Sequence, residues 1–268
     1  MDDTELDRLI EYFGKGYRYD PPRSTEEKRI LLRSLFNVRM PGPVDPEILA
    51  MQDDYLRRRA EERGIVDSMS LPTISESTDY DIPFGDRMVL WQGDITLLRI
   101  DAIVNAANSK MLGCFSPMHA CIDNCIHTYA GVQLRNECHR RMQEYVAEGN
   151  GTDWPTAVPM VTDAYNLPAK HVIHIVGPIV TGRLTERNEE DLAHCYSRTL
   201  DACAENGIRS VAFCCISTGV FMFPNRRAAE IAVRTVSEWM SEHPDAIDRV
   251  VFNVFKDGDV NIYRSMLS

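Results

Sequence analysis

The chain of 268 residues is long enough to bury a full α/β core and leave material for a smaller unit. Its hydrophobic content of 44% and charged content of 26% are typical of a globular protein. The formal net charge of −11 argues against a nucleic-acid partner, because duplex binding through phosphates needs a basic face and nothing in the sequence resembles one. A small anionic ligand remains compatible with this charge, since backbone N–H groups bind phosphate without Lys or Arg.

The sequence contains no evident targeting or membrane segment. No apolar run approaches the length of a membrane span, so we expect no membrane partner. The start, MDDTELDRLI, is acidic and lacks the basic and apolar stretches of a signal peptide. We therefore expect a cytoplasmic protein whose eight cysteines are reduced thiols or metal ligands. Four cysteines stand in apolar runs and are interpreted as small buried hydrophobes: Cys195, Cys203, Cys214 and Cys215.

The first part of the chain has a helical pattern. It predicts three helices, at 5–13, 24–39 and 46–64. The polar segment 68–86 is punctuated by Pro and Gly and predicts a long connection. We interpret residues 1–86 as a helical N-terminal extension that packs on a main domain at 87–268, because so few residues rarely form a separate core.

After residue 87, strand-like and helix-like runs alternate. Strands that are apolar on both sides and separated by helices predict a mostly parallel sheet covered by helices. Such sheets bind ligands beyond the carboxyl ends of their strands, which makes the loops at 105–121 and 217–224 informative. The predicted strands are 88–92, 102–106, 158–162, 171–177, 211–217 and 249–255. The predicted helices are 120–143, 189–206, 226–242 and 258–267.

Three candidate metal ligands, Cys114, His119 and Cys121, lie within eight residues between a strand-like and a helix-like run. Thiolate and imidazole suit zinc, and three protein ligands would leave a coordination position open, as at reactive zinc sites. The spacing is not one of the familiar zinc-finger patterns. From spacing alone, reduced core thiols beside a surface histidine are an equally good interpretation.

Amide and carboxylate groups flank this cluster. Asn105 and Asn108 end the preceding strand and suit sugar hydroxyls, because an amide both donates and accepts hydrogen bonds. Asp123, with Asn124 beside it, begins the following helix. It is either a helix cap or a general base that also accepts from ribose hydroxyls. His127, one turn further along, is interpreted as packed or hydrogen-bonded rather than catalytic.

Two further loops and one strand end carry candidate ligand-binding groups. Asp94, in the run 93–96, either caps a turn or accepts a hydrogen bond from an exocyclic amine. Residues 217–224 lead into a helix, and the N–H groups around Gly219 form either an ordinary turn or a diphosphate site. Phe255 ends the last strand, where an aromatic ring either joins the core or stacks on a nucleobase.

Together and in this order, these elements resemble a macrodomain. The matching pieces are GDIT (93–96), DAIVNAAN (101–108), CIDNCIHTYAG (121–131), ISTGVFMFP (216–224) and the ending VFNVF (251–255). The resemblance implies a three-layer α/β/α sandwich with a mixed, mostly parallel sheet. It also implies that the protein binds ADP-ribose, which some members of the family remove from modified proteins.

Within the family, the loop LGCFSPMHACIDN (112–124) resembles the zinc-containing macrodomain class, which also carries a helical N-terminal extension. This implies one zinc ion held by Cys114, His119 and Cys121. Met222 departs from the family pattern, because a small glycine is usual there and a larger side chain would narrow the loop. Asn124 replaces a glycine that is common in the zinc-free enzymes.

The resemblance also implies a role for each matched position. Asp94 would hold the adenine amino group, Ile95 would contact the same ring and Phe255 would lie near it. Another group would wrap the diphosphate and distal ribose: Ser217, Thr218, Gly219, Val220, Phe221 and Met222. The last group would face the distal ribose and carry the catalysis: Asn105, Asn108 and Asp123, with Asn124 beside them.

We therefore predict a zinc-dependent hydrolase that removes mono-ADP-ribose from modified proteins, with Asp or Glu side chains as the expected attachment sites. In this hypothesis zinc activates water, orients the distal ribose or only pins the loop, and Asp123 positions a ribose hydroxyl or helps to activate water. One alternative is a module that binds ADP-ribose without cleaving it. Another is an enzyme for small derivatives such as O-acetyl-ADP-ribose.

Overall fold

The computed structural model describes residues 3–267 as strands and helices around one central sheet. The strands are β1 (Val66–Asp67), β2 (Met88–Gln92), β3 (Leu98–Arg99), β4 (Ala102–Ala107), β5 (Met160–Asp163), β6 (His171–Val176), β7 (Ser210–Phe213) and β8 (Arg249–Val254). The α-helices are α1 (Asp3–Phe13), α2 (Thr25–Val38), α3 (Pro46–Arg63), α4 (Ile74–Ser77), α5 (Ile122–Ala130), α6 (Val132–Ala147), α7 (Glu186–Glu205), α8 (Asn225–Glu242) and α9 (Asp257–Arg264).

The central sheet has six strands in the order β2-β8-β7-β4-β6-β5. Every neighbouring pair is parallel except β5 with β6. Strands β4, β6 and β8 are buried at nearly every position, so both faces of the sheet are covered. The predicted α/β fold, with a mixed and mostly parallel sheet between helices, is confirmed. No helix within residues 3–267 is both long and apolar enough to cross a membrane.

Five neighbouring parallel strands, from β2 to β6 in the sheet order, direct their carboxyl ends to one edge of the sheet. Gln92 of β2 pairs with Val254 of β8, so these two strands end side by side. Strands β7 and β4 follow in the same direction. The loops after β2, β8, β7 and β4 therefore gather at this edge, which is where ligands of open α/β sheets bind. Every loop that the sequence marked as informative is among them.

The first three helices share an apolar cluster of their own. Leu9, Leu32 and Leu56, one from each helix, are buried in it, and Val132 of α6 joins it. The apolar cluster of α1, α2 and α3 therefore also packs against α6. The strand β1 pairs with β3 in parallel, which fixes the chain after α3. The helices match the predicted ones closely, but the division of the chain near residue 86 stays a prediction.

The predicted helix 120–143 is wrong as a single element, because the chain forms α5 and α6 with a break at Gly131. Gly131 has φ +95, which no helix tolerates. A Cβ at this position would lie 2.7 Å from the amide nitrogen of Gln52 on α3. The break thus lies at a glycine that the side chains of Gln133, Gln52 and Asn166 crowd, and no local periodicity reveals the two distant contacts.

Other differences are smaller. The segment 68–86 is not wholly irregular, since α4 forms there with a reciprocal capping box between Thr73 and Glu76. The predicted strand 211–217 is wrong beyond Phe213, where β7 ends, and Ser217 already has the left-handed φ of +64 of a loop residue. The last four residues of that prediction belong to the loop at the ligand edge instead.

We predict that Gly131→Ala destabilises the protein more than Gly149→Ala. Both glycines have positive φ, so each substitution introduces left-handed strain of about 1 kcal/mol or more. An added Cβ at Gly131 would also collide with Gln52, whereas at Gly149 it would meet no atom within 4 Å. Urea unfolding of both variants measures the difference. Equal losses would contradict the close approach of α3.

Candidate active site

The centre of the candidate site is the buried carboxylate of Asp123 in the first turn of α5. Its Oδ1 accepts a hydrogen bond of 2.8 Å from the Asn105 amide, and its Oδ2 accepts one of 3.1 Å from the Asn108 amide. Asn105 lies in β4 and Asn108 directly follows it. The structure therefore brings together the three residues that the sequence analysis put forward for catalysis.

A polar chain behind Asn105 fixes its orientation. The Nδ2 of Asn105 lies 3.0 Å from His174 Nδ1, and His174 Nε2 lies 3.1 Å from Thr162 Oγ1. Burial lowers the pKa of His174 to about 3, so the ring is neutral and carries one proton. With Nδ1 as the acceptor, the two hydrogens of the Asn105 amide serve Asp123 and His174 together. The chain thus links β5, β6 and β4 to the carboxylate.

Burial raises the pKa of Asp123 to about 6. The hydrogen bond from Asn105, the charge of Arg135 and the hydrogen bond from Asn108 each lower it and limit the rise. A carboxylate with a pKa near neutrality accepts a proton more readily than a solvated one. The group is thus suited to accept a hydrogen bond from, or deprotonate, a hydroxyl that approaches the site.

Arg135 of α6 connects this site to the helices of the extension. Its Nε donates to Leu112 O at 2.8 Å, and its Nη1 donates to Phe36 O at 2.9 Å and Arg39 O at 2.6 Å. The guanidinium also lies 4.5 Å from the ring of Phe115. Burial lowers the pKa of Arg135 to about 10, which leaves it charged at neutral pH. One buried cation therefore holds both the loop after β4 and the end of α2.

Two buried asparagines shape that loop further. The Asn124 amide donates to Cys114 O at 3.2 Å and Ser116 O at 3.0 Å. Asn37 of α2 accepts from Met118 N at 3.0 Å and donates to Thr128 Oγ1 at 2.7 Å. Asn124 was predicted as a ligand-binding residue, and its side chain is turned to the loop carbonyls in this structure. The extension is thus hydrogen-bonded to the loop itself.

The three candidate metal ligands converge at the start of α5. The donor atoms of Cys114, His119 and Cys121 all lie within 4.8 Å of one another, and Cys114 Sγ is 3.5 Å from His119 Nδ1. Tetrahedral zinc with sulfur and nitrogen ligands separates such atoms by about 3.5 Å. Burial raises the pKa of Cys121 to about 12, and the neighbouring Cys114 adds to the rise, so its thiolate needs a cation nearby. The donor set fits zinc.

His127 is buried below the loop, as predicted, and makes no hydrogen bond with its ring nitrogens within the described chain. Its Nε2 lies 3.6 Å from Asp123 Oδ1. Burial lowers its pKa well below the usual value, and His174 adds to this effect, so the ring is neutral. A Cβ on Gly113, which has φ +80, would lie 2.8 Å from the ring. The loop thus covers His127 closely.

The loop after β2 carries the candidate adenine contacts. Asp94 Oδ1 accepts from Thr96 N at 2.9 Å and Thr96 Oγ1 at 2.6 Å, and its Oδ2 forms an ion pair with Arg63. The Arg63 guanidinium also lies 4.0 Å from the ring centroid of Tyr129. Ile95 is buried in the core, whereas 76% of Phe255 is exposed. An exposed aromatic ring at a strand end has a free face for a planar ligand.

The loop after β7 is held in a strained shape. Ser217 and Met222, neither of them glycine, have φ of +64 and +61. Phe223 N donates to Ser217 O at 3.0 Å, and Val180 N donates to Phe221 O at 2.9 Å, so the loop closes on itself and on its neighbour. Val220 and Met222 are exposed. Strained, exposed backbone at a ligand edge is a common feature of binding loops.

Several residues that build the site carry no local sequence signal. Arg63 and Asn37 lie on distant helices, and nothing near them in the sequence indicates contact with the loops. Arg135 stands among other polar residues of α6. His174 is the exception, because a histidine inside the apolar run HVIHIVG already indicates a buried polar partner.

Comparison with known proteins identifies the family of this chain. The Macro domain family model matches residues 104–232. A protein from Treponema medium, named protein-ADP-ribose hydrolase, is 49% identical over 247 residues, which cover 92% of this chain and 90% of that one. The chain belongs to the macrodomain family. A Staphylococcus aureus (strain MSSA476) protein of the same name is 44% identical, with 91% of this chain and 86% of that protein covered.

A solved structure extends the match to the extension. The Trypanosoma brucei macrodomain in complex with ADP-ribose superposes with a TM-score of 0.66 at 26% identity, covering 92% of this chain and 97% of that one. The match spans more than the residues of the family model. The Trypanosoma brucei macrodomain therefore shares part of the helical extension with this chain.

We predict that Asn37→Ala loosens the loop 112–121 as well as the fold. The substitution leaves the Met118 N–H without its acceptor and removes the hydrogen bond that Asn37 donates to Thr128 Oγ1, at a cost of about 1–3 kcal/mol. Asn136→Ala is the matched control, because that amide also joins the extension to the main body, through Gly42, but does not touch the loop. Hydrogen exchange should accelerate in the loop only in Asn37→Ala. Unchanged exchange there would contradict the proposed support.

Proposed function

We propose that this macrodomain is a hydrolase that removes mono-ADP-ribose from modified proteins. The observation that carries the proposal is the buried Asp123 carboxylate, which two amides hold at the ligand edge beside a cysteine–histidine cluster. Relatives named protein-ADP-ribose hydrolase, at 44% and 49% identity over most of the chain, support it. A module that only binds ADP-ribose requires neither a carboxylate of raised pKa nor metal ligands next to it.

We place ADP-ribose along the carboxyl edge of the sheet. Adenine lies at Asp94 and Phe255, next to Ile95, where the loops after the neighbouring strands β2 and β8 meet. The diphosphate follows the loop of Ser217, Thr218, Gly219, Val220, Phe221 and Met222. The distal ribose lies at Asn105, Asn108 and Asp123, close to Asn124. The order of the strands, β2-β8-β7-β4, supports this order of contacts.

Cys114, His119 and Cys121 would hold one zinc ion at the distal-ribose end. When bound, zinc supplies Lewis acidity next to the scissile bond. Asn124 keeps the loop carbonyls in place and so fixes the separation of the ligands. Cys121 also caps α5, because its Sγ accepts from Asn124 N at 3.4 Å. The loop would therefore both hold the zinc ligands and cap the first turn of α5.

The reaction proposed for the site is attack of water on the anomeric carbon of the distal ribose. A new C–O bond forms to water, the bond to the protein carboxylate breaks, the carboxylate leaves with both electrons, and the proton that water loses passes through Asp123 to solvent. Asp123 accepts a hydrogen bond from a ribose hydroxyl or from the water, while Asn105 and Asn108 stop the carboxylate from rotating. Asp123 therefore contributes to the rate because its carboxylate is already oriented toward the reacting groups.

The absence of an acidic hydrogen-bond partner of Asp123 within the described residues favours an Asp or Glu ester as the substrate. Within the described chain, the hydrogen-bond partners of Asp123 are two amides. The nearest histidine, His127, is neutral because burial lowers its pKa. Glycosidases that expel a poor leaving group use a second carboxyl group as the acid. A departing carboxylate needs no such proton, so this arrangement suits an acyl linkage.

We predict that Asp123→Asn lowers the rate of ADP-ribose release from a carboxylate-modified protein by about 100-fold or more. The substitution keeps the size of the side chain but removes its charge and one acceptor.

We also predict that Cys114→Ala loses both zinc and turnover, whereas Cys203→Ala, which removes a buried thiol of α7, keeps both. Released ADP-ribose and bound metal are measured on each preparation. Full turnover in Asp123→Asn would contradict the role of the carboxylate.

We predict that Arg63→Ala weakens ADP-ribose binding about fivefold, equivalent to about 1 kcal/mol, with little change in kcat. Arg63 holds Asp94 Oδ2, so its removal frees the carboxylate that faces adenine. Arg140→Ala, an exposed arginine of α6, is the control. Calorimetry gives the affinity of each variant. Unchanged or tighter binding by Arg63→Ala would show that the ion pair does not support the adenine contact.

A further inference from the structure

A second cavity lies outside the groove assigned to ADP-ribose. It has a volume of about 110 Å³ and is enclosed by α2, α3 and α5. Arg29 and Arg33 of α2 line it together with Arg59 of α3, and the rings of Tyr55 and Tyr129 form its apolar walls. We call this space the arginine cavity.

The charge of the arginine cavity is opposite to that of the chain as a whole. Three arginines line it, against two carboxylates: Glu26, whose side chain is 70% exposed and lies 3.8 Å from Arg29, and Glu62. Arg29 and Arg59 both pair with Glu62 at the rim. Arg33 has no carboxylate within 4.0 Å in the described part of the chain. A protein of net charge −11 therefore concentrates positive charge in one partly enclosed space.

Donor groups in the cavity lack acceptors. The Nε atoms of Arg29 and Arg33 are buried, and neither has a hydrogen-bond partner within residues 3–267. The contacts of Arg33 Nη2 are long and uncharged, at 3.4 Å to His119 O, 3.4 Å to Asn124 Oδ1 and 3.7 Å to Cys125 Sγ. A guanidinium binds a carboxylate through two parallel N–H groups at shorter distances than these. A carboxylate has the charge and the acceptor geometry that match these donors.

The cavity borders the candidate active site. Met118, in the loop between Cys114 and Cys121, forms part of its wall, and Arg33 reaches the carbonyl of His119 in the same loop. A protein whose attached ADP-ribose occupies the groove thus presents its neighbouring surface to the cavity. The volume admits a carboxylate side chain with a few waters, since one water needs about 10–15 Å³ by the same measure. It is too small for a nucleotide.

We propose that the arginine cavity binds an acidic side chain of the mono-ADP-ribosylated protein. This inference rests on the proposed function, because it gives the protein substrate a second contact beyond its ADP-ribose. It implies selection for acceptor proteins with an Asp or Glu near the modified residue. The small derivative O-acetyl-ADP-ribose has no such side chain and does not use the cavity.

The test compares a protein substrate with a small one. Arg29→Gln and Arg59→Gln should each raise KM for a mono-ADP-ribosylated protein about tenfold, equivalent to about 1.4 kcal/mol, and leave KM for O-acetyl-ADP-ribose unchanged. Arg57→Gln removes the same charge from an exposed position of α3 and should alter neither value. Thermal unfolding confirms that each variant is folded. Equal KM changes for both substrates, or none for the protein, would overturn the proposal.

A binding experiment separates this proposal from the proposed function. A glutamate-rich peptide without ADP-ribose should bind the wild-type protein, and Arg29→Gln should lose that binding whether or not the protein hydrolyses anything. If the wild type releases no ADP-ribose but still binds the peptide, the proposed function fails and the cavity assignment stands. Binding of inorganic phosphate without binding of the peptide would overturn the assignment in favour of a free anion.

Discussion

The Asp123 carboxylate is buried, and each of its oxygens accepts a hydrogen bond from an asparagine amide of β4 or its end. Burial of an ionised group is unfavourable unless such partners surround it. The same amide nitrogen of Asn105 lies 3.0 Å from His174 Nδ1, so its second hydrogen goes to the imidazole and orients the side chain. The pairing of β4 with β6 places these two residues side by side, because Asn105 and His174 are register partners. The sheet therefore sets the chemistry of the carboxylate.

The loop after β4 depends on contacts from outside the sheet. Arg135, Asn37 and Arg33 hold its backbone carbonyls and N–H groups, and two of these three side chains come from α2. Without them, a stretch of 14 positions between β4 and α5 would have few fixed points. The helical extension is thus a structural part of the site rather than an appendage. Its arginines also give an acidic protein a local positive surface beside the loop.

Much of the fold could be predicted from the sequence, because the strands are apolar on both faces and the caps are explicit. Ser24 caps α2, and Gly64 ends α3, as their residue types indicate. The break at Gly131 could not be predicted from periodicity, since the apolar pattern continues through it and two of the side chains that crowd it, Gln52 and Asn166, are distant in the sequence. The grouping of Asn105, Asn108 and Asp123 could be predicted, because all three flank the single loop that joins β4 to α5 at the ligand edge.

The partners of those residues could not be predicted in the same way. Arg63 reaches Asp94, and Arg135 reaches Leu112, through tertiary contacts that leave no mark on the neighbouring sequence. The same limit applies to the arginine cavity. Arg29 and Arg33, four positions apart on α2, have the pattern of an ordinary solvated helix face. Only the position of α3 and α5 against that face encloses them.

The most direct measurement is a crystal structure of the protein with ADP-ribose, with anomalous data collected at the zinc absorption edge. We predict one strong anomalous peak among Cys114, His119 and Cys121, with the distal ribose within hydrogen-bond distance of Asp123. The absence of a zinc peak from crystals grown with zinc would contradict the metal assignment. A distal ribose bound away from Asp123 would contradict the central role given to that carboxylate.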